Sequence, residues 1–306
     1  MKKILLTGAT GLIGATVYRH FAPKVEIVRL GRRAECELQA DLSQPETLEN
    51  LSFDGCGTVI HCAGITDEDI KARPAQAFIQ STLGINSLIQ TAIKSGVEKF
   101  IYISTAHVYG SQAGTINEDV PANPLSDYAI AHYAAEQTLR RNAGKFKSCA
   151  VLRPNAVFGM PLAIDKFDRW TLIPYSFPLE AVYQQRIVLR SSGEQNRNFV
   201  AAQDIANHIE QLILSNVEQF SVSNPLGKET ISVYQFALKC AEIYSQLTGK
   251  ECPVERPLMQ KESPEEEFIY QTNHNFNFNM SNLDVFIKDF TLRILEDVQN
   301  GKRYGA

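Results

Sequence analysis

The segment SDYAIAHYAAEQ places Tyr128 one helical turn before His132. A spacing of four brings two side chains onto one helix face. A phenol and an imidazole so placed can hold or pass a proton. Unperturbed tyrosine titrates at about 10 and histidine at about 6.5. The same pair can equally be two packed residues on a half-buried helix. What decides between these readings is what the rest of the chain brings to the pair.

Near the amino end, Gly8, Gly11 and Gly14 stand in TGATGLIG, after a strand-like run and at the opening of a helix-like one. Glycine lets the chain turn tightly and lets a pyrophosphate approach backbone amides. The positive end of the helix dipole then faces the phosphates. This context predicts a bound dinucleotide. Which one depends on the end of the second strand, where a carboxylate would hold the ribose hydroxyls of NAD. The chain offers Arg29, Gly31, Arg32 and Arg33 there. Arginine suits a 2′-phosphate through paired hydrogen bonds, so NADP is the expected coenzyme and NAD the alternative.

The elements that would position these residues alternate. KKILLTG, VEIVRL, GTVIHCAG, KFIYIST and SCAVLRP read as strands. Leu12 to Phe21, Ala75 to Ser95 and Tyr128 to Asn142 read as helices between them. Such spacing implies right-handed crossovers and a parallel sheet, and the apolar character of the strands implies burial on both faces. A doubly wound, Rossmann-like α/β fold with a small C-terminal lobe is expected. Residues 1–157 would form the nucleotide-binding domain, with 191–215 returning to it. Residues 158–190 and 216–306 would form the substrate lobe, with a helix from Val233 to Leu247. KESPEEEFIYQTNHNFNFN is expected to be an exposed loop.

Composition narrows the function classes. A net charge of −4 gives no general attraction to nucleic acid or to an anionic membrane. No apolar run reaches the ~18 residues of a membrane span. The apolar stretch Ile4-Leu5-Leu6 is too short for a signal peptide, so a cytoplasmic protein is expected. The six cysteines show neither a C-x-x-C pair nor a zinc spacing, and read as buried, reduced thiols rather than a metal site.

Seven segments in order then resemble the extended short-chain dehydrogenase/reductase family, the NAD-dependent epimerase/dehydratase group. The likeness covers nearly the whole chain. TGATGLIG is similar to the family's cofactor loop, which implies contacts from Gly8, Thr10, Gly11, Leu12, Ile13 and Gly14. ADLSQPETL places Asp41 and Leu42 near the adenine. HCAG lays Cys62, Ala63 and Gly64 along the cofactor. FIYISTAHVYG puts the catalytic serine or threonine at Thr105, and SDYAIAHYAAEQTL puts the catalytic tyrosine at Tyr128. VLRPNAVFG sets Pro154 and Asn155 beside the nicotinamide. GEQNRNFVAAQDIA opens the substrate lobe with Arg197 and Asp204. The resemblance implies hydride transfer on a nucleotide-activated sugar, with Tyr128 as acid or base and Thr105 bonded to the reacting oxygen. It also implies a homodimer through the tyrosine helix and the long helix before it.

One position departs from the pattern. The family's lysine, four residues after the tyrosine, is His132 here, while the family's nearby glutamate still aligns as Glu136. A free imidazole is cationic only about a quarter of the time at pH 7, and it is shorter than lysine. Three readings follow: His132 takes the lysine's role, the reaction runs as reduction of a ketone, or the protein is a weakly catalytic NAD(P)-binding sensor or scaffold. A second departure is Ser81, where the family often has asparagine.

For substrate, Arg197 suits a diphosphate and Asn155 a sugar hydroxyl or phosphate. His107 could face the cleft, and Lys166 and Arg169 could add positive charge at its mouth. Asp204 is expected to cap the helix that follows it.

Overall fold

The computed structural model describes residues 2–110, 113–162, 164, 167–215, 219–257, 267–275 and 277–304. Strands β1 (Lys3–Thr7), β2 (Ile27–Gly31), β3 (Leu38–Gln39), β4 (Cys56–His61), β5 (Lys99–Ile103), β7 (Ser148–Leu152) and β11 (Phe220–Ser223) form one sheet. Its order is β11-β7-β5-β4-β1-β2-β3, with every pair parallel. The order reverses between β1 and β4, and ligands of such sheets bind at the carboxyl ends of the strands there.

Helices cover both faces, so alternate residues of one strand enter different cores. Leu5 of β1 packs towards α4 (Ile85–Lys94) and α5 (Asp127–Asn142), among Leu88, Ala135 and Leu139. Its neighbours Ile4 and Leu6 face α1 (Leu12–Phe21) and α7 (Ala202–Leu214), among Val17, Ile205 and Ile209. Complete burial of each such side chain contributes roughly 1.5–3 kcal/mol. This two-sided burial makes the strands apolar throughout.

The lobe is built on α6 (Ile173–Gln184), α8 (Val233–Thr248) and α9 (Leu283–Gln299), around Tyr175, Phe236, Phe286 and Phe290. Short strands tie it together. β8 (Ala156–Phe158), β10 (Asn196–Ala201) and β12 (Glu229–Ser232) form a three-stranded sheet. β9 (Ile187–Val188) pairs with β13 (Val254–Glu255), and β6 (Thr115–Ile116) with β14 (Ile269–Tyr270).

Several expectations change. Residues 220–223, expected in the lobe, are the edge strand of the main sheet. The described part of the expected exposed loop is partly buried: Phe268 and Tyr270 are 4% and 5% exposed, and the Tyr270 hydroxyl donates to the Arg153 carbonyl. Residues 261–266 and 276 of that stretch lie outside the described residues. The single helix expected over 75–95 is α3 (Pro74–Ile79), a π-helical segment Gln80–Gly84, and α4. Gly84 there touches the Leu42 carbonyl so closely that a Cβ would lie 2.0 Å from its oxygen. Asp204 does not cap α7. It lies in the first turn, 1% exposed, and accepts bonds from the Ser281 amide and hydroxyl. Cys36, Cys62 and Cys252 are only half-buried, whereas Cys56, Cys149 and Cys240 are buried.

The helix that carries Tyr128 is fixed by a buried ion pair. α5 starts at Ser126, whose hydroxyl accepts from the Ala129 amide, and its alanines favour the helix. On its inner face Glu136 receives the Arg153 guanidinium at 3.1 and 2.6 Å and the Ser104 hydroxyl at 2.5 Å. Arg153 also lies over the Tyr109 ring, 4.7 Å from its centroid. Thus α5 is tied to the ends of β5 and β7, where Thr105 and Pro154 begin their turns. Glu136→Ala would leave a buried guanidinium unpaired. Its expected cost is about 3–5 kcal/mol, read as a fall in the urea midpoint. A Glu136→Leu/Arg153→Met double variant should lose much less; equal losses would contradict this account.

Candidate active site

The glycine loop turns above the carboxyl end of β1. Gly8 has φ +69°, and a Cβ there would lie 2.6 Å from the Cys62 carbonyl carbon. Gly14 is equally constrained, since its Cβ would lie 2.1 Å from the Gly8 oxygen. Gly11 differs. A Cβ there would make one ordinary contact, 3.5 Å from the Gly8 oxygen, so packing within the chain does not demand glycine. Gly11 is the N-cap of α1, no side chain caps that end, and its first turn carries no acidic residue. Thr10, Leu12 and Ile13 complete the loop and the first turn.

The turn after β4 faces this loop. The Ala63 amide donates to the Thr7 hydroxyl at 3.2 Å, and the Thr7 hydroxyl shares a hydrogen bond with His61 Nδ1 at 2.7 Å. On the other side the Gln80 amide donates to the Ala63 carbonyl at 3.0 Å. Ser81, the aligned position, instead bonds the Ala77 carbonyl within its own helix. Sequence reasoning missed Gln80, because the π-helical segment changes the phase of the helix there. Cys62 is no thiolate: burial pushes its thiol up to about 12.

Thr105 and Tyr128 are brought together. Thr105 is 4% exposed and starts the short turn Ala106–Tyr109, with its hydroxyl accepting from the His107 amide. The Ala106 amide bonds the Pro154 carbonyl at 2.9 Å, which sets Pro154 and Asn155 beside this turn. Tyr128 is half-buried at the start of α5, and the His107 ring stands edge-on to it at 5.8 Å. Desolvation raises the Tyr128 phenol above its ordinary value; a hydrogen bond to Thr105 and the charge of Arg169 pull it back. His107 is exposed, and its value is lowered by partial desolvation and then by Arg197. Arg197, on β10, donates to the Asn196 carbonyl.

His132 is 3% exposed and lies edge-on to Tyr128, ring centroids 4.6 Å apart. Its two nitrogens meet the Tyr102 hydroxyl at 2.7 Å and the Ile65 carbonyl at 3.4 Å. A carbonyl only accepts, so Nε2 carries the hydrogen and Nδ1 accepts from Tyr102. Burial lowers the imidazole to about 4, against the opposing pull of the Ile65 carbonyl. The expected quarter-cationic imidazole is therefore a neutral one. Protonating it at pH 7 costs about 4 kcal/mol rather than the roughly 0.7 kcal/mol of a free histidine. Tyr102 stacks between His132 and His61, at 6.0 and 5.3 Å.

A small cavity is lined by Arg32, Ser43, Asp69, Arg73, Gln76 and Gln80. Arg29 is not free for a phosphate, as it is bound to Glu37 at 2.6–3.2 Å and lies over Tyr18. Asp41 accepts from the Ser43 amide and hydroxyl, which orders the turn leading to Leu42 and Ser43. Lys166 lies outside the described residues. Among the described residues no cluster of side chains could hold a metal ion, and no helix is long and apolar enough to cross a membrane.

Residues 4–222 match the family described as the NAD dependent epimerase/dehydratase family. The chain is 25% identical over 280 residues to the dTDP-D-glucose 4,6-dehydratase of Mus musculus, covering 81% of this chain and 75% of that one. Its fold is similar to the solved structure of MoeE5 in complex with UDP-glucose and NAD, with a TM-score of 0.75 at 20% identity over 96% and 99% of the two chains. It is also similar to RMD from Pseudomonas aeruginosa complexed with NADPH, at a TM-score of 0.76 and 19% identity over 97% and 100%.

Buried neutral histidines make stability depend on pH. Burial lowers His61 to about 3, His132 to about 4 and His208 to about 3. These lie below the unfolded value of about 6.5, so in that window the unfolded chain binds more protons. Stability should fall as pH drops from about 6.5 towards 4, by about 1.4 kcal/mol per pH unit for each group. Urea unfolding at pH 7 and pH 5 measures this. A His132→Asn variant should show a shallower loss, and equal stability of the native protein at both pH values would contradict the buried neutral state.

Proposed function

The chain belongs to the NAD dependent epimerase/dehydratase family, and from that premise we propose that it is an enzyme that moves a hydride to or from a nucleotide-activated sugar. The names of its relatives, a dTDP-D-glucose dehydratase and a protein complexed with UDP-glucose, support that substrate class. NAD(P) is the cofactor class. The groove fits a dinucleotide, because Gly11 leaves room that the chain itself does not fill and α1 presents an end uncapped by any side chain. When bound, the nicotinamide supplies or accepts the hydride.

The residues take the following parts. Amides of Gly8 to Gly14 receive the pyrophosphate. Asp41, Leu42 and Cys62 to Gly64 flank the adenosine and ribose, and Pro154 and Asn155 lie beside the nicotinamide. Arg32, at the adenosine end, favours a 2′-phosphate and hence NADP. Three similar solved structures hold NAD and another holds NADPH. Arg197, His107 and Asn155 receive the sugar nucleotide, and Thr105 bonds the reacting oxygen.

The observation that carries the reading is the Tyr128 phenol, raised above its ordinary value, beside Thr105 and a neutral His132. At pH 7 such a phenol is protonated, so it acts as an acid. The protonated phenol is the form that the reductive step uses, in which a keto group becomes a hydroxyl. His132 does not supply charge. It packs against Tyr128 and Gly64, where a Cβ would lie 3.0 Å from its ring carbon. Leu83 and Ile130, 59% and 43% exposed on the π-helical segment and α5, suit a homodimer across those helices. We place the protein in the cytoplasm, where its free cysteines stay reduced.

The test is calorimetry with NAD, NADP and a panel of UDP- and dTDP-sugars, followed by NADPH consumption with a keto-sugar nucleotide. Binding of coenzyme and sugar is expected, with turnover that Tyr128→Phe lowers by about 10²–10⁴-fold. Coenzyme binding without any sugar binding would favour the sensor or scaffold reading.

A further inference from the structure

Where the family relies on a lysine, α5 offers Tyr128 no positive charge, yet a phenol that gives up its proton becomes an anion. The groups facing Tyr128 come from several elements. α2 (Asp67–Ala72) brings Asp67 and Glu68, the turn after β5 brings Thr105 and His107, and β10 brings Arg197 near His107. α5 itself brings the neutral His132, and β5 brings Tyr102 behind it. The remaining group is Arg169, on the lobe segment that precedes α6.

Arg169 is placed by contacts on both sides. Its neighbour Trp170 stacks on Tyr304 at 5.1 Å and on Phe290 at 6.3 Å, which anchors the segment in the lobe core. Its Nη1 lies 3.8 Å from a Glu68 oxygen, and the Thr171 hydroxyl reaches the other Glu68 oxygen at 3.4 Å. The segment thus bridges the lobe to α2, the helix beside Tyr128. Arg169 is three-quarters buried, at 25% side-chain exposure, and its Nε is buried without a hydrogen-bond partner among the described residues. A buried donor left unfilled is costly, and the 3.8 Å contact to Glu68 is too long to fill it.

We propose that Arg169, carried by the lobe, supplies the positive charge that Tyr128 lacks on its own helix. In the reductive step the Tyr128 O–H bond breaks as the substrate oxygen takes the proton, and the phenolate left behind is stabilised by the guanidinium. The charge comes from the substrate side of the cleft, so it depends on the lobe segment being seated against Glu68. Among the charges that bear on the phenol, Arg169 is the leading cation, and Asp67 and Glu68 oppose it. The inference rests on the role given to Tyr128 above.

A fluorinated tyrosine at position 128 of the full chain tests it without substrate. Its phenol is more acidic, so it titrates before alkaline unfolding, and its fluorine resonance reports ionisation. Arg169→Gln should raise the midpoint by about 1 pH unit, Arg169→Lys should restore most of it, and Glu68→Gln should lower it. A midpoint unmoved by Arg169→Gln, in a variant with unchanged melting temperature, would overturn the proposal. Failure of the underlying reading looks different, as Tyr128→Phe would then retain turnover whatever the fluorine titration shows.

Discussion

His132 is held by the Tyr102 hydroxyl on one nitrogen and the Ile65 carbonyl on the other. A donor on one side and an acceptor on the other fit a neutral ring, and burial away from water penalises the cation. The position where the family carries a permanent charge is therefore an uncharged one, and Tyr128, the proposed acid, stands beside it. The proposal that a charge reaches Tyr128 from elsewhere follows from that arrangement.

The rest of the fold serves to keep these groups in register. The parallel sheet brings Thr7, His61, Ile103 and Leu152 to one edge, and the turns that follow these strands form the groove. Thr7 and Gln80 fasten the turn at Ala63 from two sides. Glu136 and Arg153 lock α5 against the strand ends, and the Tyr270 hydroxyl reaches the Arg153 carbonyl from the lobe. A charged pair so deeply buried adds little net stability over an apolar pair, but a single orientation satisfies its hydrogen bonds. The placement of Tyr128 inherits that geometry.

Much of this was legible in the sequence. Helix Leu12–Phe21 was readable to its ends, because glycines mark its start and its apolar positions follow the helical period. Gly8, Thr105 and Tyr128 could be singled out because each sits in a motif, and the structure brings Thr105 and Tyr128 together. The state of His132 was not legible, because it depends on a tyrosine thirty positions earlier and on a carbonyl from another loop. Alternation along FIYIST does place Tyr102 on the same face as Phe100, towards α5, but not the direction of its hydroxyl. Arg29 looked available for a phosphate until Glu37 folded back on it. The role of Gln80 was hidden by a π-helical segment that no local pattern announced.

The most direct measurement is nitrogen NMR of the His132 ring in the native protein at pH 7, labelled at histidine and assigned with a His132→Asn variant. A neutral ring with hydrogen on Nε2 and a bare, hydrogen-bonded Nδ1 is the predicted result. Hydrogen on both nitrogens would show a cation beside Tyr128, and the account of this site would then be wrong.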